Sequence, residues 1–155
     1  MRFLSAVLCA VVALGVALDR CPAEAALSCT ISINSGVAFG AYGVFSSSPT
    51  QATGSLTVNC SGSGPITVTL SRGSSSTFSP RTLVSGGNHL NYNLYVDGAH
   101  STIWGDGTGG TSTVTGTMAT PSPQSLSATI YGQITPQQDL PAGSYGDTVV
   151  ATVNF

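Results

Sequence analysis

The sequence contains no lysine. Its four basic residues are all arginine, and charged residues make up only 6% of its 155 positions. Arg2 and Arg20 lie near the N-terminus. From residue 26 onward the cations are Arg72 and Arg81, the anions are Asp97, Asp106, Asp139 and Asp147, and there is no glutamate. Each absence excludes a class of function. Nucleic-acid binding needs a basic footprint to neutralise phosphates, and none is present. Attachment to an anionic membrane surface needs a polybasic segment, which is also missing. A fibre cross-linked through lysine isopeptide bonds has no nucleophile. Beyond residue 25 no long window places apolar residues at the three-and-four spacing of an amphipathic helix. Low charge with abundant serine, threonine and glycine is also a signature of disorder, but the regular alternation described below argues against it.

The first residues have a different character. Arg2 precedes an apolar run from Phe3 to Leu18, broken only by Ser5 and Gly15. A short polar stretch then leads to Ala23-Glu24-Ala25. A charged start, an apolar centre and an A-x-A motif describe a secretory signal peptide over residues 1–25. The run is short for a bilayer span of about 20 apolar residues. Cleavage after Ala25 leaves one domain, residues 26–155, with no membrane anchor, exported through the periplasm to the cell surface or medium. Cleavage after Ala17 would leave Cys21 without a partner. Of the four cysteines, Cys9 and Cys21 depart with the leader. Cys29 and Cys60 remain as an even pair in an oxidising compartment and read as a disulfide. The alternatives are two buried thiols or a metal pair, and no nearby histidine completes a zinc site.

The remaining chain alternates with period two. Leu27, Cys29, Ile31 and Ile33 form one run, and Leu56, Val58 and Cys60 a second. Ile66, Val68 and Leu70 follow, then Leu90, Tyr92, Leu94 and Val96. Leu126, Ala128 and Ile130 form a fifth, and Val149, Ala151, Val153 and Phe155 the last. Such runs put one face in a core and one in solvent. Turn-forming clusters separate them: Ser61 to Pro65, Ser85 to Asn88, Gly105 to Gly110, and Pro141 to Ser144. The pattern predicts an all-β, immunoglobulin-like antiparallel sandwich. Such a sandwich usually has seven strands, and six runs are strong. Either a groove stays open between the first and last strands, or a weaker run, Val37 to Tyr42 or Thr111 to Thr117, completes the sheet. An open groove is an aggregation hazard unless a strand from another chain fills it.

Few residues suggest chemistry. His89 and His100 flank the fourth run with Asp97 beside the second, but no dense ligand cluster surrounds them, and no metal is expected. The glycine-rich stretch around Asp106 lacks the repeated oxygen ligands of a calcium loop. Tyr95 and Trp104 are candidates for stacking on a sugar ring or an abiotic surface. No Gly-x-Ser-x-Gly elbow appears with an acid and base in order. Paired carboxylates would have to come from four scattered aspartates. The chain reads as a non-enzyme without a cofactor.

Several segments, in order along the chain, carry a family resemblance. They are Val37-Ala38-Phe39-Gly40-Ala41-Tyr42, Gly54-Ser55-Leu56-Thr57-Val58-Asn59-Cys60, Leu90-Asn91-Tyr92-Asn93-Leu94-Tyr95, Trp104 to Gly110, Tyr131-Gly132, and Pro141 to Tyr145 with the β-rich end. In these the chain resembles the spore coat protein U domain family, which includes subunits of archaic chaperone–usher pili. The resemblance implies an incomplete fold held by a periplasmic chaperone, export through an outer-membrane usher, and joining to other pilus subunits by donor-strand exchange, in support of adhesion and biofilm formation. It implies a groove walled by Cys29, Ile31 and Ile33 on one side and by Val149, Ala151, Val153 and Phe155 on the other. The carboxylate of Phe155 is then the chaperone's handle. Only Ala26, Leu27 and Ser28 precede Cys29 after the expected cleavage, so the chain reads as an acceptor of a strand and not a donor, at a terminal or tip position. The alternative is a secreted or coat-associated single domain that binds a glycan or surface by itself.

Overall fold

The computed structural model describes residues 26–155, so the expected leader, with Cys9 and Cys21, lies outside the described residues. Eight strands form: β1 (Ser28–Ser35), β2 (Thr50–Ser61), β3 (Gly64–Leu70), β4 (Arg81–Ser85), β5 (Asn88–Tyr95), β6 (Val114–Met118), β7 (Gln124–Ile134) and β8 (Ala151–Asn154). They make a five-stranded sheet in the order β1-β2-β7-β5-β4 and a three-stranded sheet in the order β6-β3-β8. All pairings are antiparallel.

Six strands coincide with the six strong runs. The other two are β4, which opens on an arginine, and β6, which lies in the weaker stretch from Thr111 to Thr117. Both take outer positions, β4 beside β5 and β6 beside β3. Neither lies between β1 and β8. The sequence count is therefore short by two strands, yet the extra strands leave that gap unfilled. Val37 to Tyr42, the other weak run, forms no ladder. It runs across the core, with Val37, Phe39 and Tyr42 half-buried.

Period two sets what is inside. Leu56 and Val58 of β2, Ile66, Val68 and Leu70 of β3, Leu90 and Leu94 of β5, and Ile130 and Ile134 of β7 are buried together with Trp104. Burying each such side chain contributes roughly 1.5–3 kcal/mol relative to exposure. Two glycines give the chain room over this layer. A Cβ at Gly132 would lie 2.5 Å from Val37 Cγ1 and 2.8 Å from the Phe39 ring, and one at Gly54 would lie 2.8 Å from the Ser35 carbonyl. Bare backbone at both points lets the segment after β1 rest on the sheet.

Two side chains stand in for backbone partners. Gln138 accepts from Asn91 N (2.7 Å) and donates to Asn91 O (2.9 Å), so its amide occupies the place of a neighbouring strand. Tyr42 donates its hydroxyl to Thr135 O and accepts from Gln138 N, which fastens the β1–β2 connection to the segment after β7. Near its end the chain changes sheets. Gly146 and Val84 exchange two backbone hydrogen bonds at the edge of β4. Ser71 N then donates to Val150 O, and β8 pairs with β3.

Candidate functional site

The site is the seam between β1 and β8. Each is the outermost strand of its sheet; the two lie close together, and no ladder joins them. Among the described residues each therefore presents an unpaired row of N–H and C=O groups along the seam. Alternation aims Cys29, Ile31 and Ile33 of β1 inward, opposite Cys60, Val58 and Leu56 of β2. On the far wall, Val149, Ala151 and Val153 point inward and are only half-buried. Leu126 and Ala128 of β7, which lies beyond β2 in the larger sheet, are half-buried as well. Ile33 remains 57% exposed and Phe155 60%. An apolar layer thus runs to the seam and is left uncovered there. At the Ile33 end the seam opens into a cleft of ≈ 200 Å³ floored by Leu70, Leu94 and Ile130 and edged by Phe39, Tyr92, Val149 and Ala151. A wider recess continues under Val37 to Phe45 and Leu140 to Asp147, with Phe45 almost fully exposed at its rim.

One wall is fixed covalently. Cys29 and Cys60 are directly opposed in the β1–β2 register and form a disulfide, with their Cα atoms 4.1 Å apart. This is the bridge expected from the cysteine count.

A polar network lies behind the cleft. The Arg81 side chain is fully buried. Its Nε and Nη2 donate to Ser71 O (3.1 and 2.9 Å), Nη2 also to Trp104 O (2.7 Å), and Nη1 to Asn93 Oδ1 (2.8 Å). The guanidinium groups of Arg72 and Arg81 each approach the Phe78 ring, 5.0 and 5.2 Å from its centre, as two cation–π contacts. Asp147 lines both the cleft and the recess. Its Oδ2 accepts the Tyr92 hydroxyl (2.7 Å) and its Oδ1 accepts Ser74 N and Thr148 N. Gly73, in a left-handed conformation, leaves room for this carboxylate where a side chain would collide. Burial pushes the Asp147 carboxyl up, but the hydrogen bonds from Tyr92, Ser74 and Thr148 together outweigh it and hold the group below the ordinary carboxylate range. Tyr92 is driven far above the ordinary phenol value, by burial first and then by its bond to Asp147.

The candidate binding residues divide. Trp104 is fully buried and donates its indole N–H to Val68 O (3.1 Å), so it belongs to the core and has no face for a ligand. This corrects its reading as a surface stacking residue: a lone tryptophan in a glycine-rich connection looks exposed, but the fold places it between the sheets. Tyr95 is half-buried on the outer face, opposite Tyr131 and edge-on to His100 at 5.2 Å. His89 is exposed at the start of β5, whereas His100 lies beyond the other end of that strand, near Gln51. Asp106 closes its own loop by accepting from the Thr108 amide and hydroxyl. Among the described residues no three His, Cys, Asp or Glu side chains cluster as metal ligands do.

Among the described residues, eight antiparallel strands in two sheets, a cross-strand disulfide and a seam without a ladder define an immunoglobulin-like β-domain whose first and last strands approach but do not pair. The chain belongs to the Spore Coat Protein U domain family, whose model matches residues 16–152. It is 32% identical over 111 residues to Protein U of Myxococcus xanthus, covering 66% of this chain and 59% of that protein. Its fold is similar to a chain in the crystal structure of the CsuC–CsuE chaperone–tip adhesion subunit pre-assembly complex from archaic chaperone–usher Csu pili of Acinetobacter baumannii. The TM-score is 0.57 at 25% identity, over 84% of this chain and 40% of that one. The chain thus spans under two thirds of the length of either relative.

Proposed function

We propose that this domain is a structural subunit of a chaperone–usher surface fibre whose seam accepts a strand from another chain. The observation that carries the reading is the seam: two unpaired strand edges flank an apolar layer that stays half-covered. A strand added at these free edges gains backbone partners and covers that layer, which is β-augmentation. Ile31, Ile33, Val149, Ala151, Val153 and Phe155 are the acceptor walls. The partners are a periplasmic chaperone in transit, an outer-membrane usher, and a neighbouring subunit in the finished fibre. Residues 1–25 direct export and are removed, and the mature chain resides at the cell surface. The family and the likeness to a chaperone-bound pilus subunit support this assignment. The likeness to a chain of a chaperone–tip adhesion subunit complex is consistent with a place at the fibre tip and a role in adhesion and biofilm formation. The rival reading, a self-complete glycan-binding module, loses Trp104 to the core.

The test is complementation. The oxidised domain is purified with and without an extended peptide of alternating apolar residues, and its unfolding is followed by circular dichroism. Peptide at a hundredfold excess over Kd is expected to stabilise it by about 2.7 kcal/mol. Without peptide or chaperone the domain is expected to self-associate. A stable monomer indifferent to every such peptide would refute the proposal.

A further inference from the structure

The seam is not uniform, and its shape specifies what an incoming strand carries. Along β1 the inward residues Cys29 and Ile31 lie beside Cys60 and Val58 of β2 in one layer. At Ile33 the floor drops into the ≈ 200 Å³ cleft. An apolar cavity of about 150 Å³ is large enough to take up a benzene ring, so this one exceeds the size of an aromatic side chain. Two rings already edge it, Phe39 and Tyr92, packed edge-to-face with centroids 5.9 Å apart and planes at 75°. A third ring entering between Ile33 and Val149 finds the edge and face contacts that aromatic groups favour. Asp147 is the one charged residue lining the cleft. A carboxylate brought beside it would lose its hydration and meet a like charge.

We propose, resting on the strand-acceptor reading above, that the partner strand bears one phenylalanine or tyrosine as an anchor. This residue fills the cleft between Ile33 and Val149, and its neighbours two residues away on the same face are smaller aliphatic groups that lie over the shallow part of the seam. The anchor chooses the register: sliding the strand by two residues would set the ring against the closed floor and leave the cleft empty.

Synthetic twelve-residue peptides of alternating valine and threonine test this, with one inward position changed in turn to Phe, Leu, Ala or Asp. Affinity for the oxidised domain is measured by fluorescence polarisation. One inward position is expected to prefer Phe over Ala by about 30-fold or more, the threshold of an interface hot spot, with Leu between them and Asp weakest. On the variant Ala151→Leu, which fills the cleft from the β8 wall, the Phe and Ala peptides are expected to bind within about threefold of each other. If the peptides bind the native domain equally wherever the ring is placed, the anchor is refuted and the acceptor seam stands. If none binds, the acceptor reading falls and the anchor with it.

Discussion

Replacing Arg81 with alanine removes a guanidinium that satisfies three acceptors from separate parts of the chain. Ser71 O lies after β3, Trp104 O lies in the connection before β6, and Asn93 Oδ1 belongs to β5. In the variant the carbonyls of Ser71 and Trp104 lose these donors while remaining enclosed, and Phe78 loses one of its two cations. Leaving a buried acceptor without its donor costs about 1–3 kcal/mol, so losing the donor to these two carbonyls costs about 2–6 kcal/mol. Domains of this size are stable by about 5–15 kcal/mol, so the loss is a large share of the total. The assay is urea unfolding at neutral pH, read by tryptophan fluorescence, because Trp104 touches the network. Arg81→Lys separates geometry from charge. It keeps a cation but cannot reproduce the fork that reaches Ser71 O through two nitrogens, so it is expected to recover less than half of the loss. A cost for Arg81→Ala below about 1 kcal/mol would refute the argument, since that is the scale of a single neutral hydrogen bond. Full recovery by lysine would show that charge, not the fork, matters.

Three further outcomes follow from other parts of the molecule. The disulfide closes a separation of 31 residues; in the chain-entropy model, Cys29→Ala with Cys60→Ala costs roughly 3–4 kcal/mol in urea unfolding. Hydrogen exchange in β1 should then rise more than in β7. Asp147 has a folded pKa depressed below its unfolded value of about 3.9, so it stabilises the fold above that pH, and the contribution is lost as pH falls through the folded value. Asp147→Asn should therefore be less stable than the native domain at pH 7, with the gap narrowing below about pH 4; a gap independent of pH would exclude this linkage. Trp104 should show blue-shifted emission, and Trp104→Phe should lose about 1–2 kcal/mol with its hydrogen bond to Val68 O, without altering binding at the seam.

Period two was legible wherever a strand buries one face and solvates the other. β2 alternates cleanly from Gly54 to Cys60, and Cys29 faces Cys60 at the register that the bridge requires. β4 was not legible because Arg81, a charged residue, occupies an inward position that the pattern reserves for apolar groups. Two of the partners that make this possible are backbone carbonyls, which carry no residue-type signal. The same non-local contacts hid the burial of Trp104. The seam was legible only as an alternative, since strand order depends on which edges the weak runs join. Tyr92 was readable as a core residue, but its place beside Asp147 depends on the chain changing sheets after Gly146. The roles of Val37 and Phe39 depend on bare backbone at Gly54 and Gly132, two strand glycines whose meaning appears only when the covering segment is in place.

The two seam strands are each tethered at points outside the seam. On one side the Cys29–Cys60 bridge fixes the start of β1 against β2. Beyond its end, Val37 and Phe39 sit over Gly132 and Gly54 and cannot move inward without collision. On the other side, the paired hydrogen bonds between Gly146 and Val84, and those between Ser71 and Val150, secure the chain just before β8. β8 itself contributes only four residues and one ladder. Neither wall therefore relies on the other for its position. The exposed apolar layer persists because the rest of the fold already satisfies the walls at their ends.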